Sequence, residues 1–425
     1  MVFWMKQWLD TTLKQLNLVE TMEQPTGFTR LGYTEEENES IKAFISIAKE
    51  LDLNIIEDTA GNVIARWETN NGVEEKVAIG SHVDTVTNGG GYDGTAGVLV
   101  SLGAIKLLKE EGFTPTHPID IIVFRSEESS RFGISTVGSK AISGILDPSI
   151  GSVKDADGIS IKEAVEALGY RWEDFSQAKR TDIKSFVELH IEQGTVIEDN
   201  GKQYGVVRGV ACPIRLKVKV QGKAGHTGTT PMNKRQDALL AASHLIPFVS
   251  ETAIKLNATS ELPVVATVST IECKPNAMNV IPGVVELGID IRSVDDSLKS
   301  KVADEIRNKC LTIEKELNCS IEIDVLVHNP SILLDESIQK KLLQAGDHLG
   351  YTNLLMDSGA GHDVMNMQQL CPSGLIFIPC RDGLSHHPKE YASLEDLYIG
   401  VEIVAQFLRI ETGERDEHSR RSSRT

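Results

Sequence analysis

The chain lacks any long unbroken apolar run. Its opening stretch, MVFWMKQWLDTTLKQLNLVE, is interrupted by Lys6, Asp10 and Lys14, so it has no apolar core of the signal-peptide kind. No later run is read as a transmembrane helix, and a cytoplasmic location is expected. Cysteine is scarce. The six residues Cys212, Cys273, Cys310, Cys319, Cys371 and Cys380 form no C-x-x-C pair and are too few to staple 425 residues, so they read as reduced packing residues. Positive charge is short too. With 43 Lys and Arg against 61 Asp and Glu, the net charge of −18 sets up a field that repels polyphosphates and anionic lipid. That excludes nucleic acid and membrane surfaces as expected partners and leaves a small-molecule substrate. No internal repeat of solenoid or propeller period is present.

What the sequence does contain is an ordinary globular composition, 40% hydrophobic and 24% charged, over a length that favours two or three domains. Ile41, Phe44, Ile45, Ala48 and Leu51 fall at helical spacing, and strands are predicted over 62–67 and 76–80. A helix is predicted after Gly97, and the apolar run IDIIVF at 119–124 reads as a buried strand of a parallel or mixed sheet. This alternation is an α/β signature. From about Pro213 the rhythm changes. Strands at 214–220, 264–270, 284–291 and 321–327, with helices at 236–255 and 298–317, spell β-α-β-β-α-β, the split pattern of a ferredoxin-like unit. Metal-type residues stand on both sides of that pattern. The expected organisation is therefore a discontinuous α/β domain, 1–211 with 329–425, interrupted by an inserted α+β domain, 212–328. The polar tail GERDEHSRRSSRT is assigned no function.

Five fragments carry chemistry. In GSHVDTV, strand alternation turns His82 and Asp84 the same way, so the carboxylate can help orient the imidazole of a metal ligand. The glycines of GGGYDGTAG resemble a phosphate loop, but no Gly-Lys-Ser/Thr or G-x-G-x-x-G follows and Asp93 would repel phosphate, so a metal-binding turn is favoured. RSEESSRF ends the buried strand, where α/β sheets bind ligands, and its paired Glu127 and Glu128 can divide into cation ligand and general base. ELHIEQG places Glu188, His190 and Glu192 in alternation, and GLSHHPKE adds His386 and His387. Nitrogen and oxygen donors without thiolate favour a catalytic zinc or manganese centre over a structural zinc knot. Taken singly, each fragment has a bland reading as a surface pair or a satisfied loop residue; their order and joint occurrence carry the argument.

With these residues the chain resembles the M20 metallopeptidase clan, in its amidase, hydantoinase and carbamoylase branch, on GSHVDTV, NGGGYDG, SEESSRF, ELHIEQG, AGHTGTTPM, NAMNVIPG, DIRS, SGAGHD and GLSHHPKE, nearly the whole chain. The resemblance implies a zinc-peptidase-like catalytic domain and a lid and dimerisation domain, hence a homodimer. It implies two divalent ions per subunit, zinc foremost, with manganese or cobalt as alternatives. His82, Asp93 and His190 would hold one ion; Asp93, Glu128 and His386 would hold the other. Glu127 would be the base and His226 the oxyanion donor, with Gln193, Asn279, Arg292, Gly359 and Ala360 contacting substrate. His362, His387 and Glu390 receive no settled role. The implied reaction is hydrolysis of a carbamoyl or ureido C–N bond, first in an N-carbamoyl-L-amino acid, with allantoate or ureidoglycolate as the alternative and aminoacylase or dipeptidase action third. Ser129 and Thr195-Val196-Ile197 depart from the branch's usual wording, which weakens assignment to one activity. A non-catalytic binding module is the rival of another class; retention of all six residues of the implied centre weighs against it.

Overall fold

The computed structural model describes residues 2–413; the rest of the charged tail, 414–425, lies outside the described residues. The chain forms two compact units. The first comprises the chain up to Arg208, Leu334–Met356 and the chain from His362 on; the second comprises Gly209–Leu333 with the short loop Asp357–Gly361.

Strands are numbered along the chain. The first six are β1 (Asn54–Glu57), β2 (Val63–Trp67), β3 (Lys76–His82), β4 (Ile119–Phe124), β5 (Ile183–Ile191) and β6 (Tyr204–Val210). Next come β7 (Ile214–Gln221), β8 (Gly225–His226), β9 (Val265–Lys274), β10 (Val280–Ile281), β11 (Val284–Arg292) and β12 (Ser320–His328). The last three are β13 (Ile332–Leu333), β14 (Asn353–Ser358) and β15 (Ser373–Ile378).

In the first unit β4, β3, β5 and β15 are adjacent and parallel, and β2 with β1 continue the sheet antiparallel. All six residues of β4 are buried, which is why its sequence runs apolar instead of alternating. Its one charged member, Asp120, is tolerated because Arg66 and Arg180 each reach it at 2.7 Å. The helices Thr95–Glu110 and Leu394–Thr412 pack on the sheet, Val2–Asn17 packs on those two helices, and all three share one core with the sheet. Parallel strands deliver their carboxyl ends to one edge, where α/β sheets hold ligands. His82 closes β3, Glu127 follows β4, His190 is next to last in β5 and the GLSHHPKE loop follows β15.

In the second unit β12, β7, β11 and β9 form an antiparallel sheet in that order. The helical stretches Ala238–Asn257 and Asp296–Leu317 pack side by side on one face of it and share its apolar core. The connectivity is β-α-β-β-α-β. Two expectations need correction here. The single helix over 236–255 is two, Ala238–Ser243 and Leu245–Asn257, because Pro247 has no N–H to offer the Ser243 carbonyl. The stretch Ala238–Asn257 is also long and apolar enough to cross a membrane by length and composition, with mean hydropathy 1.2, contrary to the reading that no run reaches that length. Its inner residues Ala238, Ala241, Ala242, Leu245 and Val249 are spent on the sheet. The buried Lys299 donates to the carbonyls of Cys212 and Asn329 at 2.7 and 3.0 Å, tying the first strand's entry to the last strand's exit.

Candidate metal centre

In the first unit, backbone carbonyls fix two imidazoles. Nδ1 of His82 lies 3.0 Å from the Asp84 carbonyl, and Nδ1 of His190 lies 2.9 Å from the Ile191 carbonyl. A carbonyl only accepts, so both rings carry hydrogen on Nδ1 and present the Nε2 lone pair inward, the tautomer a metal ligand needs. Those Nε2 atoms lie 3.5 and 3.0 Å from Oδ1 of Asp93. The other oxygen of Asp93 lies 3.4 Å from Nε2 of His386, which in turn is 3.2 Å from Glu128 Oε1. His82, Asp93 and His190 thus form one group able to hold an ion, and Asp93, Glu128 and His386 form another, with ligand atoms in each group within 4.8 Å of one another. Gly94, at φ +61°, keeps the turn after Asp93 open, since a Cβ there would lie 2.4 Å from the His82 ring.

Glu127 belongs to neither group. Its Oε2 lies 3.8 Å from His82 Nε2, beside the donors but outside both sets. Burial, helped by Glu128 and Asp363, raises its pKa well above the carboxylate range. Gln193, at φ +59°, donates from Nε2 to Asp93 Oδ2 at 2.7 Å and to Ser385 Oγ at 3.0 Å, while its buried Oε1 has no hydrogen-bond partner among the described residues. His362 is buried edge-on against His190, with centroids 4.6 Å apart, and burial holds its pKa well below the usual value. It belongs to neither donor group. His387 also stays outside both, its Nδ1 accepting from the Lys389 amide.

His226, Asn279, Arg292, Gly359 and Ala360, also singled out from the sequence, lie in the second unit. Nδ1 of His226 accepts from the Gly228 amide at 3.0 Å, which leaves the ring hydrogen on Nε2 as a donor. His226 pairs with Val280 across the β8–β10 ladder, and Thr227 N–H donates to the carbonyl of Asn279, so His226 and Asn279 are neighbours. Arg292 ends β11; its Nε donates to Asp290 at 2.7 Å and its Nη1 to the Gly359 carbonyl. The Ala360 amide donates to Ser358 Oγ at 3.1 Å.

Two braces went unread in the sequence. Asp84 was expected to order His82; its carboxylate also accepts the amides of Glu127 and Glu128, at 3.1 and 2.9 Å. At the start of the same turn, the buried Glu37 accepts from the Tyr33 amide at 2.7 Å, the Ser126 amide at 3.0 Å and Arg125 Nη1 at 2.9 Å. Ser126 stands at φ +50°, so these bonds stabilise a turn that local preference resists. The only local signal was the Thr34-x-x-Glu37 spacing of a helix start, and the Thr34 hydroxyl does accept the Glu37 amide.

Imidazole and carboxylate donors with no thiolate, two rings already in the ligand tautomer, and one carboxylate presenting an oxygen to each group fit divalent ions of the zinc, manganese and cobalt kind. Fold and donor set define an α/β protein of the metallohydrolase class. The chain belongs to peptidase family M20/M25/M40, whose sequence model matches residues 78–410. It is 36% identical over 392 residues to the N-carbamoyl-L-amino acid amidohydrolase of Geobacillus stearothermophilus, covering 92% of this chain and 95% of that one. It is likewise 36% identical over 384 residues to the ureidoglycolate hydrolase of Oryza sativa subsp. japonica, covering 89% and 79%. The crystal structure of an amidase of the hydantoinase/carbamoylase family from Burkholderia multivorans superposes with a TM-score of 0.88 at 29% identity, over 96% of this chain and 98% of that one. The chain is a hydrolase.

Proposed function

We propose that the protein hydrolyses the carbamoyl C–N bond of an N-carbamoyl-L-amino acid, with one water consumed and the L-amino acid, carbon dioxide and ammonia released. The observation that carries this reading is Asp93, whose two oxygens face separate donor groups while Glu127 stands beside both and belongs to neither. We assign one ion to His82, Asp93 and His190 and a second to Asp93, Glu128 and His386, zinc in preference to manganese or cobalt. When bound, such a pair polarises the scissile carbonyl and lowers the pKa of the attacking water. Glu127 takes the proton from that water and returns it to the leaving nitrogen; burial that raises its pKa suits a group that must hold a proton between two steps.

His226 is the oxyanion donor, supported by the Nε2 hydrogen that the Gly228 amide enforces. Arg292 takes the substrate carboxylate through its planar fork, with Asn279, Gln193 and the Gly359-Ala360 backbone as further contacts. The orphaned Oε1 of Gln193 is an acceptor for a substrate N–H. We further read the first unit as catalytic and the second as lid and dimerisation unit of a homodimer. Six free cysteines support a reducing, cytoplasmic setting.

Ureidoglycolate is the second reading, favoured by identity to the rice enzyme equal to that with the carbamoylase, and allantoate stands with it as a ureido carboxylate. Ammonia release from metal-replete protein decides among N-carbamoyl amino acids, allantoate and ureidoglycolate, and release of the free amino acid reads N-acyl amino acids, which yield no ammonia. The expected result is highest kcat/KM on N-carbamoyl-L-amino acids, reduced by about 10²–10⁴-fold in Glu127→Gln with metal content unchanged. Amino-acid release from N-acyl substrates with no ammonia from any ureido substrate, or near-normal turnover by the metal-replete variant, would overturn the reading.

A further inference from the structure

Glu390 is a buried carboxylate, 5% exposed, that belongs to neither donor group yet grips the backbone of a residue from each side of the centre. Its Oε1 accepts from the amides of Tyr92 and Asp93 at 3.0 and 2.9 Å; its Oε2 accepts from the amide of His386 at 3.2 Å. The glycine run is shaped around it. A Cβ on Gly90 would lie 2.1 Å from Oε1, so that glycine exists to admit the carboxylate, and no phosphate is needed to explain it.

The two donor groups depend on this grip unequally. The side chains of His82 and His190 are 1% exposed and fixed by carbonyls at Nδ1. That of His386 is 49% exposed and its backbone stands at φ +55°. Where packing does not hold a ring, its place follows from its backbone, and Glu390 binds that backbone. Asp93 has other anchors: its own carbonyl accepts the Thr95 amide at 2.6 Å, and the neighbouring Tyr92 carbonyl accepts that of Ala96 at 2.7 Å.

We propose that Glu390 is a positioning residue that sets the spacing of His386 from Asp93, and so governs the affinity of the Asp93–Glu128–His386 group for its ion and leaves the His82–Asp93–His190 group nearly untouched. This rests on the two-ion reading above. Glu390→Gln separates the two halves of the grip. Its amide oxygen still serves the two amides of Tyr92 and Asp93, because turning the nitrogen that way would oppose two donors instead of one, and its NH₂ then faces the His386 N–H without an acceptor between them.

Zinc titration of the full chain, followed by calorimetry and by metal content after graded chelation, reads the two ions separately. The expected result is a first ion held as in the wild type and a second weakened by about 10–100-fold, the usual effect of losing an outer-shell partner. The melting temperature of the metal-free protein should be unchanged. Gly90→Ala, which crowds the carboxylate from the other side, should reproduce the selective loss, and it decides the matter if Glu390→Gln does not fold. Both ions retained at wild-type affinity in the variants would overturn the proposal. So would both ions weakened together with a fall in metal-free melting temperature, the mark of a merely structural residue. A wild type that takes up fewer than two ions would instead overturn the two-ion reading, and that is read before any variant is made.

Discussion

In each of the three histidines proposed as ligands, a proton and a metal ion would compete for the same nitrogen. Hydrogen bonds with Asp93 and Glu128 push the pKa of His386 up to about 10. At His82 and His190 burial opposes the charge, but neighbouring carboxylates outweigh it, Asp84 and Asp93 for the former and Asp93 for the latter, and both pKa values rise. The sign follows directly: a raised value means that a proton is held more tightly on the nitrogen an incoming ion must take, and at His386 it is held up to about pH 10. Metal affinity is therefore expected to increase with pH up to about 10, and loading near neutral pH to release protons. Calorimetric zinc titrations in buffers of differing ionisation enthalpy count those protons, and an affinity flat between mildly acidic and alkaline pH would contradict the assignment. Arg292 makes the second prediction at this scale. Its guanidinium is already aligned by Asp290, so Arg292→Ala should cost carboxylate-bearing substrates about 2 kcal/mol, roughly thirtyfold in kcat/KM, and spare a decarboxylated analogue. Equal losses on the two substrates would remove the clamp role.

The turn from Arg125 to Glu128 shows why elements were easier to read than the bonds that hold them. The run IDIIVF announced a buried strand because both of its faces are covered, and the paired glutamates at its end announced chemistry because a parallel sheet offers ligands its carboxyl edge. Nothing local announced Glu37, whose partner Arg125 is 88 residues away in the chain. Pairings at that separation are set by the fold, so the Thr34-x-x-Glu37 spacing could mark only the start of the helix Glu35–Glu50 and not what the Glu37 carboxylate grips. The break at His244 was missed for the opposite reason: Pro247 was visible, but the apolar periodicity on either side of it reads as continuous. The Glu37–Arg125 pair is nearly solvent-free, with side chains 0% and 2% exposed. Glu37→Ala leaves Arg125 buried without its counter-charge and should destabilise the protein by about 3–5 kcal/mol, whereas Glu37→Leu with Arg125→Met should cost less, because no unpaired charge remains. Urea denaturation of the metal-free proteins measures both, and a single variant as stable as the double one would show that the pair braces nothing.

At the scale of the whole molecule, His82, Asp93, Glu128, His190 and His386 are far apart in the chain but meet in space within the first unit, and their sequence order on either side of a β-α-β-β-α-β block is what made a discontinuous α/β fold legible before any coordinates. What composition could not show is which surface a second copy of the chain would use in the proposed homodimer. In the four-stranded sheet β9 is an edge, with one ladder side unpaired among the described residues, and it exposes Val265 and Ile271 at 59% and 51%. Ile254, on the helix Leu245–Asn257, is 67% exposed. An open edge bearing apolar side chains invites strand pairing, and a chain of net charge −18 that dimerises must offset its own repulsion by burying such surface. The homodimer proposed through the second unit therefore makes a firm demand. Sedimentation equilibrium should give twice the chain mass, and Ile271→Lys with Ile254→Glu should return it to the monomer mass while zinc content per chain stays the same, since the donor groups lie wholly in the first unit. If the double variant keeps the dimer mass, the edge of β9 is not the interface; if the wild type sediments as a monomer, the dimer itself is gone.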